Sequence, residues 1–160
     1  MQTAHSTADA ARDTIPEDPH ALAQLTGESM YARDTASQAL GAKLVAVEPG
    51  GATMSMPVRA DMLNGHKTCH GGFIFALADS TFAFACNSRN LVTVASGCTI
   101  DYLAPAFEGD LLTAKAVEYS LAGRTGIYDV HVTNQDSKAI AIFRGRSYRI
   151  KGNVVESADA

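Results

Sequence analysis

Residues 73–88, FIFALADSTFAFACNS, constrain the fold more than any other part of this chain. Wound into a helix, Phe73 to Ala78 and Phe82 to Cys86 leave almost no polar face. A helix that is apolar nearly all round belongs inside other structure. Asp79, Ser80 and Thr81 interrupt the run, and it is shorter than the roughly 20 apolar residues that span a bilayer. The expected cover is therefore a curved antiparallel sheet wrapped around one long central helix. A chain of 160 residues suits one such domain with one core.

The flanking sequence supplies the strands. Lys43–Glu48 and Ala52–Arg59 alternate in character about Pro49-Gly50-Gly51 and predict a hairpin. After the helix come segments of β character at Val92–Leu103, Leu111–Ser120, Gly126–Asn134 and Ala139–Ile150. Short polar turns separate the last three, which favours an antiparallel meander. Strands on both sides of one helix, without βαβ alternation, make the fold class α+β. Leu22, Leu25, Met30, Tyr31 and Leu40 recur at helical spacing, predicting an amphipathic helix from Pro19 to about Leu40 with a break near Gly27. The expected organisation is a disordered leader over 1–18, a domain over 19–152 and a flexible tail over 153–160.

Two features carry chemistry. Asp79 has Phe75, Ala76, Phe82 and Ala83 one turn away and no Lys or Arg within a turn. A carboxylate in such surroundings is costly unless paired, hydrogen-bonded or protonated. It suits a general base near neutral pH, and equally a small wet stripe or an acceptor for a neighbouring chain. The second feature, His70-Gly71-Gly72, places two glycines where a helix begins. Unpaired N–H groups and the helix dipole there suit a developing oxyanion, although glycines in a tight loop need no ligand to explain them. Gly71 and Asp79 are eight residues apart, or about 12 Å along a helix. One small reacting centre does not reach both in one chain, so a shared site requires two subunits.

Other signals exclude more than they assign. A net charge of −4 and no Lys/Arg block argue against a nucleic-acid partner. Three cysteines without C-x-x-C spacing point to a reducing, cytoplasmic setting. The first residues lack a basic start followed by an apolar run, so no secretory signal is read there. His66, Cys69 and His70 lie on a loop without a further close ligand, so no metal is expected. Ser88 and Ser96 lack a G-x-S-x-G setting. Arg124, Arg144, Arg146, Arg149 and Lys151 are candidates for phosphate contacts, or else charges that guard a sheet edge.

The run LNGHKTCHGGFIFALADSTFAFACNS closely resembles the signature of the PaaI-type thioesterases, the phenylacetic acid degradation branch of the hotdog fold. VASGCTIDYLAPAFEGDLLTAKA, GRTGIYDVHVTNQ and AIFRGRSYRI resemble the same family, so the likeness spans roughly Met30 to Gly152. It implies a hotdog fold, dimers with a continuous sheet that often assemble into tetramers, and hydrolysis of acyl-CoA thioesters without a cofactor. Phenylacetyl-CoA and its ring-hydroxylated derivatives are the implied substrates. By the same resemblance Asp79 matches the catalytic carboxylate and Gly71 the glycine whose N–H polarises the thioester carbonyl. Asn64 matches a polar residue that helps place water or substrate, and His70 the histidine before the glycine pair. Gly72, Phe75, Arg124, Arg144 and Arg146 are the expected substrate contacts, with Phe73, Phe82 and Phe84 further candidates for the acyl pocket. Related enzymes carry a serine or threonine on the strand after the helix. Ala95 falls at that place here, and a regular strand points the adjacent Ser96 to the opposite face. A hotdog hydratase-dehydratase using His70 with Asp79 and a non-catalytic acyl-CoA sensor are the alternatives.

Overall fold

The computed structural model describes residues 15–156, so most of the expected leader and the end of the tail lie outside it. Asp18 caps the first helix, its carboxylate accepting from the Ala21 N–H at 2.8 Å, and Pro19 follows with its ring pre-set for a helical start. Helix α1 runs Pro19–Arg33 and α2 Thr35–Ala39. The break thus falls at Asp34 rather than Gly27. Asp34 ends α1 in a non-helical conformation and caps α2 by accepting from the Ser37 N–H at 2.9 Å. Gly27 stays helical because it is buried against Val47 of the first strand. The buried face of α1 is Ala23, Thr26 and Gly27, while Leu22, Leu25 and Met30 are only partly covered.

Strands β1 (Lys43–Glu48) and β2 (Gly51–Pro57) form the expected hairpin. Helix α3 (Gly71–Asn87) is followed by β3 (Leu91–Tyr102), β4 (Leu111–Ala122), β5 (Thr125–Thr133) and β6 (Ala139–Asn153). All pairings are antiparallel, in the order β1-β2-β4-β5-β6-β3. The β4–β5–β6 meander is as expected. The return of β3 to the far edge beside β6 was not legible locally. Asn153 still pairs with Leu91, and the Val155 backbone exchanges hydrogen bonds with the Asn90 side chain at 2.7 and 2.9 Å. The ordered chain therefore runs past residue 152, where the flexible tail was expected to begin.

The sheet curves around α3, as the hotdog arrangement implies. Phe82 sits at the centre of the core, its ring 5.6 Å from that of Tyr128 and 5.9 Å from that of Phe143. Gly145 of β6 lies directly under it; a Cβ there would stand 2.8 Å from the Phe82 ring. The lack of a side chain lets helix and sheet approach. Phe82 and Phe84 are both core residues, 1% exposed, and so do not line an acyl pocket in this chain.

The far end of α3 is tied down by polar contacts. The Asn87 amide donates to the Thr93 carbonyl and its oxygen accepts from the Thr93 N–H, both at 2.9 Å, fixing the start of β3. Arg89 makes a two-pronged bond to the Glu118 carboxylate at 2.6 and 3.2 Å, and the buried Tyr128 hydroxyl donates to the same group at 2.9 Å. Glu118→Gln should therefore lower stability by about 1–2 kcal/mol, since charged hydrogen bonds become neutral ones. Urea unfolding monitored by circular dichroism checks this.

Candidate functional site

The helix begins at Gly71, two residues earlier than its apolar pattern. His70 is the cap: its Nδ1 accepts from the Gly72 N–H at 3.0 Å, which places the imidazole proton on Nε2. The His70 carbonyl accepts from the Phe73 N–H at 3.0 Å. Of the first helical N–H groups, those of Gly72 and Phe73 are thus engaged. Among the described residues no acceptor is found for the Gly71 N–H. It is a free donor at the positive end of a 17-residue helix dipole.

This donor belongs to a cleft of about 480 Å³ lined by Asn64, Thr68, Gly71, Ile74, Tyr102 and Pro105 among others. Asn64 organises its own loop. Its side-chain oxygen accepts from the His66 N–H at 2.8 Å, and its amide donates to the Thr68 hydroxyl at 3.1 Å. That loop is fastened to the helix start because the His70 N–H donates to the Met62 carbonyl at 2.8 Å. Asn64 and Gly71 are therefore brought together.

Asp79 does not line this cleft. It sits two turns along α3 on a stripe formed by Gly72, Phe75, Ala76, Asp79 and Ala83, which the sheet leaves partly open. The opposite face, with Ile74, Leu77, Ala78, Thr81, Phe82 and Ala85, is fully buried. An almost wholly apolar helix is thus left partly open along one stripe as far as Ala83, and is buried all round from Phe84 on. Phe75 leans on Phe143 with ring centres 5.6 Å apart. Among the described residues no hydrogen bond or ion pair reaches the Asp79 carboxylate. Burial among these apolar neighbours raises its pKa above the ordinary carboxylate value.

The expected arginines do not converge. Arg144 points outward from β6 and is committed to Asp129 by two bonds of 2.6 and 2.7 Å, with Tyr119 stacked 5.1 Å from its guanidinium. Arg146 is also on the outer face, its guanidinium lying over Gly97. Arg124 and Arg149 lie near the C-terminal end of α3, with Arg89 and Ser147 around a small recess. The alternation of β3 is broken where the expected serine would stand: the register slips between Ala95 and Gly97, leaving Ser96 as the extra residue. Its hydroxyl donates to the Arg146 carbonyl at 3.1 Å.

The two buried cysteines are poor nucleophiles. Burial pushes the Cys86 thiol up to about 12 and also raises Cys69. Among the described residues no three His, Cys, Asp or Glu side chains gather as metal ligands, and no helix is long and apolar enough to cross a membrane. Tyr102 is the residue the sequence did not announce. It closes β3, and its hydroxyl reaches the Gly71 carbonyl. Only the long-range return of β3 creates that contact.

Comparison with known proteins gives the site a context. The family model of the thioesterase superfamily matches residues 66–141. The chain is 48% identical to the acyl-coenzyme A thioesterase PaaI of Escherichia coli, over 81% of this chain and 93% of that protein. The solved structure of E. coli PaaI superposes with a TM-score of 0.84 at 46% identity, covering 85% of this chain and 99% of that one. A mutant of the phenylacetic acid degradation protein PaaI from Thermus thermophilus gives a TM-score of 0.71 at 44% identity, over 73% of this chain and 100% of that one. A Streptococcus mutans protein solved bound to acetyl CoA gives 0.67 at 26% identity, over 70% and 90% of the two chains.

Proposed function

The chain belongs to the thioesterase superfamily, and from that premise we propose that it hydrolyses acyl-CoA thioesters in phenylacetate degradation. Phenylacetyl-CoA and its ring-hydroxylated derivatives are the substrates we assign. The observation that carries the reading is the N–H of Gly71, for which no acceptor is found among the described residues, on a residue that lines a cleft with Asn64, in a chain 48% identical to E. coli PaaI. Binding of acetyl CoA by the S. mutans protein supports a CoA ester as the ligand class.

In this reading the thioester carbonyl accepts from the Gly71 N–H, and the α3 dipole stabilises the negative charge that develops on it. Asp79 takes a proton from water as the water oxygen bonds to the carbonyl carbon. The C–S bond then breaks, and the CoA thiolate leaves and is protonated. Direct attack by the carboxylate to give an anhydride, opened by water in a second step, is the other route. Labelled water under single turnover separates them: enzyme-derived oxygen in the acid marks the anhydride. A hydratase-dehydratase would pair His70 with Asp79 in one site, whereas Asp79 sits two turns along α3 and does not line the cleft at the helix start.

The carboxylate that serves the Gly71 cleft comes from a second copy of the chain. The open stripe around Asp79 supports this, as does β3, a 12-residue edge strand with one charged residue, Asp101. Such an unguarded edge is a template for pairing. Two copies joined there form one continuous sheet with the helices side by side. Exposed Tyr119, Tyr148 and Ile150 on the outer face are where dimers then meet as a tetramer. Arg124, with Arg149, is the candidate for a CoA phosphate. The setting is cytoplasmic.

Subunit mixing tests the shared site. Asp79→Asn and Gly71→Ala subunits, each inactive alone, are unfolded together and refolded. A heterodimer then holds one intact and one doubly altered site, so about a quarter of wild-type activity should return, half the sites in half the dimers. No recovery in verified heterodimers would place both residues in one chain's site.

A further inference from the structure

Gly71 and Gly72 stand together in the first turn of α3, and paired glycines carry more backbone freedom than any other pair. A donor meant for an oxyanion has to be held in place before the reaction. The peptide that joins these glycines is bonded at both ends. Its carbonyl, that of Gly71, accepts from the Tyr102 hydroxyl at 2.9 Å. Its N–H, that of Gly72, donates to His70 Nδ1 at 3.0 Å. Three ring atoms of Tyr102 also lie 2.9–3.1 Å from where a Gly71 Cβ would stand, so the ring closes over the glycine as well.

We propose that Tyr102 is a positioning residue for catalysis: with His70 it clamps the Gly71–Gly72 peptide and so aims the Gly71 N–H into the cleft. Fixing that peptide plane fixes ψ of Gly71, and the preceding peptide, which carries the Gly71 N–H, is held by its His70 carbonyl accepting from the Phe73 N–H at 3.0 Å. Both peptides flanking Gly71 are thus pinned while its N–H stays the free donor. The role also revises that of His70, which holds the site from behind instead of handling protons. Tyr102 ends the edge strand and Gly71 begins the helix, so the clamp couples the two elements that frame the cleft. The activity part of this inference rests on the thioesterase reading; the clamp itself does not.

The test compares wild type with Tyr102→Phe, His70→Ala, the double variant and His70→Asn. Phenylacetyl-CoA is the substrate, and a thermal melt confirms each fold. Loss of one neutral hydrogen bond predicts a fall in kcat of about fivefold for Tyr102→Phe, with KM held within about twofold. His70→Asn keeps a capping acceptor and should retain more kcat than His70→Ala. The double variant should lose less than the product of the two single losses, because both act on one peptide. In parallel, NMR of protein labelled in the nitrogens of its 13 glycines reads the clamp without turnover. The Gly71 and Gly72 amides should shift and exchange faster in Tyr102→Phe while the remaining glycines stay put. Unchanged kcat with unchanged amides would overturn the clamp, as would a rise in KM alone, which marks a mere substrate contact. If wild type releases no thiol, the function assigned above fails, and the amide signals alone decide the clamp.

Discussion

Asp79→Asn should lower turnover of phenylacetyl-CoA by about a thousandfold, the middle of the range for a lost general base, or about 4 kcal/mol of transition-state stabilisation. The substitution keeps the shape of the side chain and removes only its negative charge. Nothing in the described fold depends on that charge, because no hydrogen bond or ion pair reaches it. KM should change little. Thiol release measured with a colorimetric reagent checks the loss, and turnover within tenfold of wild type would remove Asp79 from the chemistry.

The same carboxylate sets the pH behaviour. Burial raises its pKa above the ordinary value of 3.8, so the active, ionised form is lost as pH falls through that raised value. The acid limb of kcat/KM should therefore lie at higher pH than a solvent-exposed aspartate would give. Stability runs the other way. A group that binds its proton more tightly in the folded state favours folding below its unfolded pKa, and that contribution is lost as pH rises through the folded pKa. At neutral pH the ionised, half-buried Asp79 works against folding, so Asp79→Asn should melt no lower than wild type. Loss of activity with retained or increased stability separates a functional carboxylate from a structural one.

Much of the architecture could be read from residues because it is written locally. The apolar run of α3 demanded a wrapping sheet, and polar turns between β-rich segments gave the meander its order. What stayed hidden depends on contacts distant in sequence. The return of β3 beside β6 joins residues such as Cys98 and Gly145, and no local pattern encodes it. Arg144 looked available for a phosphate because its partner, Asp129, lies 15 residues away on a neighbouring strand. The break between α1 and α2 was placed at Gly27, on propensity, when tertiary packing against Val47 overrides it. The site divides in the same way. Asp79 is conspicuous as one charge in an apolar helix. The role of Gly71 becomes specific only once the neighbouring N–H groups are seen to be engaged.

Gly71→Ala should cost about a hundredfold in kcat/KM while leaving the protein as stable as before or more so. Alanine keeps the N–H, so the donor itself survives. Gly71 lies in the first turn of a helix and has no positive φ, so its backbone conformation is open to alanine, a better helix former than glycine by about 1 kcal/mol. What does not survive is the space. The new methyl would meet the Cζ of Tyr102 at 2.9 Å and its hydroxyl oxygen at 3.0 Å. These atoms are the far end of a side chain that can swing away, so the fold absorbs the clash by releasing Tyr102 from the Gly71 carbonyl. A donor displaced by even an ångström loses on the order of a hundredfold in rate. Removing the ring in Gly71→Ala/Tyr102→Ala relieves the clash without restoring the clamp, and should recover only part of the loss. Full recovery would show that the Tyr102 ring matters solely as an obstacle. A drop in melting temperature that parallels the loss of activity would mean the glycine serves the fold and not the reaction.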